Sequence, residues 1–170
     1  VLAVDPTSPF SSGAILGDRI RMRDLAGDGG VYIRSMATRG ALGGLAHASA
    51  AAVDVLDAAG FDYVIVETVG VGHAGVEIAA NVHTTIVLIA PGNGDEIQAL
   101  KAGILEIADI LVVNKADQLG AEQACSYLRY MLAMGQCTPA LGGTAPSDQA
   151  DVRSRGWQVP LLTTVASSGD

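Results

Sequence analysis

Residues 110–117 read Ile-Leu-Val-Val-Asn-Lys-Ala-Asp. Four aliphatic residues run without a polar interruption, and three of them are β-branched, which favours a strand. An uninterrupted apolar strand is one buried on both faces, the pattern of a parallel sheet covered by helices rather than a half-solvated antiparallel one. Asn114, Lys115 and Asp117 follow at once. They therefore stand at the carboxyl end of the strand, where open α/β sheets bind their ligands.

The same grammar recurs on both sides. Short apolar runs at residues 1–4, 63–66, 84–90 and 160–165 read as further strands, and residues 31–36 as an edge strand. Amphipathic stretches at about 19–26, 45–59, 96–107 and 121–134 read as helices. The second of these ends at Gly60, a helix stop. Strands alternating with helices predict an α/β fold with a mostly parallel sheet. Residues 136–156, rich in Gly, Pro, Ser and Asp, read as a long loop.

Composition narrows the function classes. At 170 residues, 49% hydrophobic and 16% charged, the chain is too apolar to be disordered. Aromatics are only 4%, so the core is aliphatic. A formal charge of −8 with no basic cluster argues against a general nucleic-acid binder. Mean hydropathy is high at +0.37, yet no run of 18 apolar residues exists to form a membrane span. Cys125 and Cys137 have neither disulfide-framework nor zinc spacing, and His47, His73 and His83 are scattered. The two cysteines read as free thiols in a reducing, cytoplasmic setting. The chain opens at Val1 inside an apolar run and stops at Asp170 just after another, so it reads as a piece of a longer protein cut at both ends.

The strand ends carry the chemistry. Asn-Lys-x-Asp after a buried strand can read guanine, because a carboxylate at Asp117 can accept from both the ring N–H and the exocyclic amine. Adenine presents neither donor there and would leave the carboxylate unmatched. Asn114 would tie the loop together and reach the base edge, and the stem of Lys115 would lie over the base. The competing structural role is a helix N-cap at Asp117 beside a surface lysine. Glu67-Thr68-Val69-Gly70 stands where nucleotide hydrolases keep a magnesium-organising acid and a glycine near the γ-phosphate. His73 is a candidate for positioning water, in competition with an ordinary loop histidine. Asp5 and Asp18 are further carboxylates for a metal, directly or through water. Asp18 can also cap the helix that follows it. Pro91-Gly92-Asn93-Gly94-Asp95-Glu96 precedes a predicted helix that contains Lys101. It reads as a loop able to change conformation with nucleotide state. No G-x-x-x-x-G-K-[ST] phosphate loop occurs in these residues.

Taken together, the stretches VLAVDPTSPFSSGAILGDRIRM, AAGFDYVIVETVGVGHA, VLIAPGNGDEIQALKAGILEIADILVVNKAD and VPLLTTVASSGD resemble the GTPases that serve methylmalonyl-CoA mutase, the MeaB/ArgK type. The resemblance implies a P-loop NTPase-like three-layer α/β/α fold, here a partial GTPase domain. The phosphate-binding loop would precede it and a C-terminal dimerisation arm would follow. It implies GTP and GDP as ligands with Mg²⁺, and Asp5, Asp18 and Glu67 as magnesium-site and switch carboxylates. Gly70 matches the γ-phosphate glycine, and Asn114, Lys115 and Asp117 match the guanine readers. Ala166 matches the residue whose backbone N–H meets the guanine oxygen, and Pro91 to Lys101 match a switch loop. The implied function is a GTP-hydrolysing chaperone, homodimeric when complete. It would gate adenosylcobalamin loading and protect methylmalonyl-CoA mutase or a related acyl-CoA mutase. This piece alone, lacking the phosphate loop, is expected to be inactive. His73 stands where the family usually carries Gln. Two other readings compete: a non-catalytic interaction module, and a related GTPase that inserts nickel or cobalt, which would need a Cys/His site.

Overall fold

The computed structural model describes residues 1–5, 22–25, 27–37, 49–68, 81–91, 102–136 and 157–169. They fall into two compact units, Val1–Val82 and His83–Asp170.

The first unit is built on a three-stranded parallel sheet of β1 (Leu2–Asp5), β2 (Arg34–Ala37) and β3 (Val66–Thr68), in the order β2-β1-β3. Leu2 pairs with Arg34 on one side and with Val66 on the other. The central strand is the buried one: Leu2, Ala3 and Val4 are each 1% exposed. The edge position expected for residues 31–36 holds, with the strand shifted to Arg34–Ala37. The strand expected at 63–66 is displaced further. Its ladder starts where Leu2 N–H donates to the Ile65 carbonyl (2.7 Å), so Glu67 and Thr68 lie within β3, while Tyr63 is 87% exposed. Between β2 and β3 comes α1 (Ser49–Ala58). Its end is a Schellman motif: Gly60 takes φ +83°, its N–H donates to the Asp57 carbonyl, and Phe61 N–H donates to Leu56. Gly60 is thus the helix stop its sequence position predicts. The helix expected at 19–26 is, among the described residues, one 3-10 turn at Arg23–Leu25.

The second unit has its own parallel sheet of β4 (Ile86–Ile89), β5 (Ile110–Asn114) and β6 (Leu161–Thr164), ordered β4-β5-β6. Among the described residues two helices accompany it, α2 (Ala102–Ile107) and α3 (Ala121–Gln136). Ala121, Ala124, Cys125 and Leu128 repeat at helical spacing and pack with Val87, Ile89, Leu111 and Val113 into one core. Leu128 is fully buried, worth about 2–3 kcal/mol of apolar transfer. Cys125 is a free thiol in this core.

Burial on both faces, expected of every strand, holds for the central strands alone. In β5, Leu111, Val112 and Val113 are all buried. In β4 the residues alternate, with Val87 and Ile89 buried but Ile86 and Leu88 52% and 61% exposed. Apolar content does not distinguish a central strand from its neighbour. Among the described residues, no helix is long and apolar enough to cross a membrane.

Candidate functional site

The carboxyl end of β5 is organised by one side-chain oxygen. Asn114 is the last strand residue and is half-buried. Its Oδ1 accepts from three donors: the Lys115 N–H (2.8 Å), the Ala166 N–H (3.2 Å) and the Thr164 hydroxyl (3.3 Å). The register makes this possible, since Asn114 pairs directly with Thr164 in β6. A second tie joins the same strands, from the Ala116 N–H to the Thr164 carbonyl (3.1 Å).

With its amide bent back onto Asn114, Lys115 adopts φ +58°. A left-handed conformation is unusual for a residue with a side chain and costs on the order of 1 kcal/mol. The chain then turns, with Gln118 N–H donating to the Lys115 carbonyl (3.0 Å), and Lys115 and Asp117 are left exposed. The alternative role for Asp117, a helix N-cap, is excluded. Helix α3 begins at Ala121, and it is Gly120, at φ +94°, whose carbonyl receives the Ala124 N–H. Buried Pro91 lies beside this turn: a Cβ on Gly120 would stand 3.8 Å from the Pro91 Cβ.

The opposite wall is the turn after β6. Ser168 N–H and hydroxyl both donate to the Val165 carbonyl (2.9 and 3.0 Å), and Ala166 within that turn is exposed. The structure therefore brings Asn114, Lys115, Asp117 and Ala166 together on two adjacent loops. It also adds Thr164. Nothing in the sequence marks Thr164, because its partner is fifty residues earlier.

In the first unit, Asp5 closes β1 and half-buried Glu67 sits in the adjacent β3, with Ala3 aligned to Glu67. Asp and Glu are the residue types a hard cation such as Mg²⁺ takes, with few carboxylates and several retained waters. No group of three or more His, Cys, Asp or Glu able to hold a metal occurs among the described residues. Asp18, Gly70, His73, Gly92, Gly94, Asp95, Glu96 and Lys101 lie outside the described residues.

Comparison with known proteins follows the same lines. The family model described as methylmalonyl Co-A mutase-associated GTPase MeaB matches residues 1–170. A relative from Pyrococcus abyssi, whose name places it among GTPases, is 50% identical over 167 residues, 98% of this chain and 48% of its own. GTPase ArgK of Escherichia coli is 46% identical over 117 residues, covering 69% of this chain and 35% of its own. The chain spans about half the length of the curated relatives it matches first. Among solved structures, an LAO/AO transport system kinase superposes with a TM-score of 0.57 at 26% identity, over 98% of this chain and 44% of its own. HypB of Helicobacter pylori, solved with nickel, gives 0.52 at 17% identity over 96% and 65%, a likeness of fold alone.

Proposed function

This chain belongs to the family of methylmalonyl-CoA mutase-associated GTPases of the MeaB type, and from that membership we propose that it contributes the guanine-reading part of a GTP-binding and GTP-hydrolysing protein. The observation that carries the reading is the loop built on Asn114 Oδ1, which leaves the Asp117 carboxylate exposed and free of a capping role. A carboxylate so placed accepts from the two N–H groups that guanine offers and adenine lacks. The stem of Lys115 covers the base. The Ala166 N–H turns to the guanine oxygen, sharing or leaving its 3.2 Å bond to Asn114.

Magnesium is the implied companion of the phosphates. Asp5 and Glu67 are its proposed holders, with Asp18 as a third carboxylate. When bound, the ion supplies charge neutralisation on the phosphoryl oxygens. Gly70 is proposed at the γ-phosphate, His73 as a water-positioning group, and the segment from Pro91 to Lys101 as the loop that reports nucleotide state. The client proposed for that report is methylmalonyl-CoA mutase or a related acyl-CoA mutase. GTP turnover would gate adenosylcobalamin loading, in a homodimeric cytoplasmic chaperone.

Single-turnover GTP hydrolysis by the complete encoded polypeptide, with and without the mutase, tests this function. The expected result is a slow Mg²⁺-dependent rate that rises when the mutase is present. A rate equally fast on ATP, or one indifferent to every acyl-CoA mutase offered, overturns the corresponding part.

A further inference from the structure

Aromatic residues make up only 4% of the chain, yet three of them gather in the first unit, at the amino ends of its strands. Tyr32 lies just before β2, Phe61 just after the Gly60 stop of α1, and Tyr63 just before β3. The Tyr32 and Phe61 rings stand 6.4 Å apart between centroids, tilted by 49°. Phe61, Asp62 and Tyr63 line a cleft of about 360 Å³ with Gly30, Ala59 and Gly60. The cleft is open, since all of these residues but Phe61 are exposed, and Ile65 beyond Tyr63 is exposed too. A Cβ on Gly60 would meet nothing within 4 Å, so the space over the backbone there is free.

The charges around the cleft have one sign. Helix α1 ends at it, and the carboxyl end of a helix carries about half a negative charge. A basic residue in the last turn commonly offsets that charge. Helix α1 has none there and carries Asp57 instead. Asp62 lines the cleft, and Asp28 accepts the Gly30 N–H (2.8 Å). Aromatic ring faces add to the same sign. Among the unit's described residues the basic side chains are Arg23 and Arg34, and neither lines the cleft. The Val1 ammonium does not line it either and donates to the Tyr32 carbonyl (2.6 Å). Ring faces, carboxylates and a helix end all select a cation that the lining residues do not supply.

An open cleft cannot enclose a small ligand, which loses roughly 70–90% of its surface in its pocket. It suits a side chain delivered on a larger surface. Arginine fits better than lysine, because its planar guanidinium stacks on rings and forks its hydrogen bonds to carboxylates. We propose that the cleft from Gly60 to Tyr63 is a docking site for an arginine side chain of a partner protein. The guanidinium lies on the Phe61 and Tyr63 rings and pairs with Asp62, and exposed Ile65 adds apolar contact beside it. None of these residues takes part in the nucleotide reading above, so the two stand or fall separately.

The test is a peptide titration followed in amide NMR spectra of the complete encoded polypeptide. The probe is a short Gly/Ala peptide bearing arginines, and its control carries citrulline, which keeps the shape and loses the charge. The arginine peptide shifts the amides of Gly30, Gly60, Asp62 and Tyr63 saturably, and the citrulline peptide leaves them in place. Tyr63→Leu keeps an apolar side chain without the ring face and weakens binding about threefold. Asp62→Asn weakens it by a similar factor. Both side chains are exposed, so thermal melts stay unchanged and show the variants folded. Glu122→Gln, at an exposed acid on α3, leaves the binding as it was. If Glu122→Gln weakens binding as much, or the shifts spread evenly over the acidic surface, the peptide senses only net charge and the proposal is overturned. Equal shifts from both peptides, no shifts at all, or full affinity in Tyr63→Leu overturn it as well.

Discussion

Strand β5 has a polar hub at each end, and the two hubs use similar bonds for different purposes. At the amino end, Asp109 Oδ2 accepts from the Thr85 N–H (2.8 Å), and the Asp109 carbonyl accepts from the Trp157 indole N–H (3.1 Å). The Asp109 and Ile110 N–H groups both donate back to the Thr85 carbonyl. At the carboxyl end, Asn114 gathers Lys115, Thr164 and Ala166. Each hub ties β5 to its neighbours through a side-chain oxygen. An ionised aspartate only accepts, so the amino-terminal hub joins strands and offers no side-chain donor to a ligand. An asparagine accepts on one side and donates on the other. It is also followed by a residue at φ +58° and an exposed carboxylate at Asp117. The carboxyl-terminal hub therefore spends conformational energy where the other does not, which is typical of sites whose geometry serves binding.

Substitutions should separate the two ends. The largest expected effect is at Asp117, where Ala removes two charge-assisted hydrogen bonds to guanine, each on the order of 1.5–3 kcal/mol. GDP affinity should fall by about 100-fold or more, with thermal stability unchanged, in paired ligand titrations and melts. Asp109→Ala should do the reverse. It leaves the Thr85 N–H without its side-chain acceptor and should destabilise by about 1–3 kcal/mol in urea unfolding, while the folded protein binds GDP as before. Lys115→Gly sharpens the contrast, because glycine tolerates positive φ. It should raise stability by about 0.5–1 kcal/mol while weakening GDP through the lost stem over the base. The smallest effect is expected for Trp157→Phe, which keeps a ring and loses one N–H. A loss of about 0.5 kcal/mol, the low end for one exposed hydrogen bond, with no change in nucleotide affinity, fits a structural hub. If Asp109→Ala or Trp157→Phe altered GDP affinity as much as stability, the distinction between the ends would be wrong.

How much of this was legible beforehand depended on distance along the chain. The strand at 110–114 and the polar residues after it are contiguous, so hydrophobic pattern alone located them. Helix α1's stop at Gly60 was legible because a Schellman end is local chemistry. The shift of β3 onto Glu67 and Thr68 was not legible, since strand bounds are set by the partner's ladder and β1 pairs from Ile65 onward. Nor was the exposure of Ile86 and Leu88, because an edge strand can be as apolar as a central one. Thr164 escaped for the same reason: its bond to Asn114 exists only once β5 and β6 are in register.

The most direct test of the guanine-reading loop is displacement of fluorescent GDP from the complete encoded polypeptide in Mg²⁺ by unlabelled GDP and ADP. The account predicts that GDP displaces the probe at least about 100-fold better, since adenine leaves the Asp117 carboxylate unmatched. Equal displacement by the two would contradict it and return the loop at Asn114 to a purely structural role.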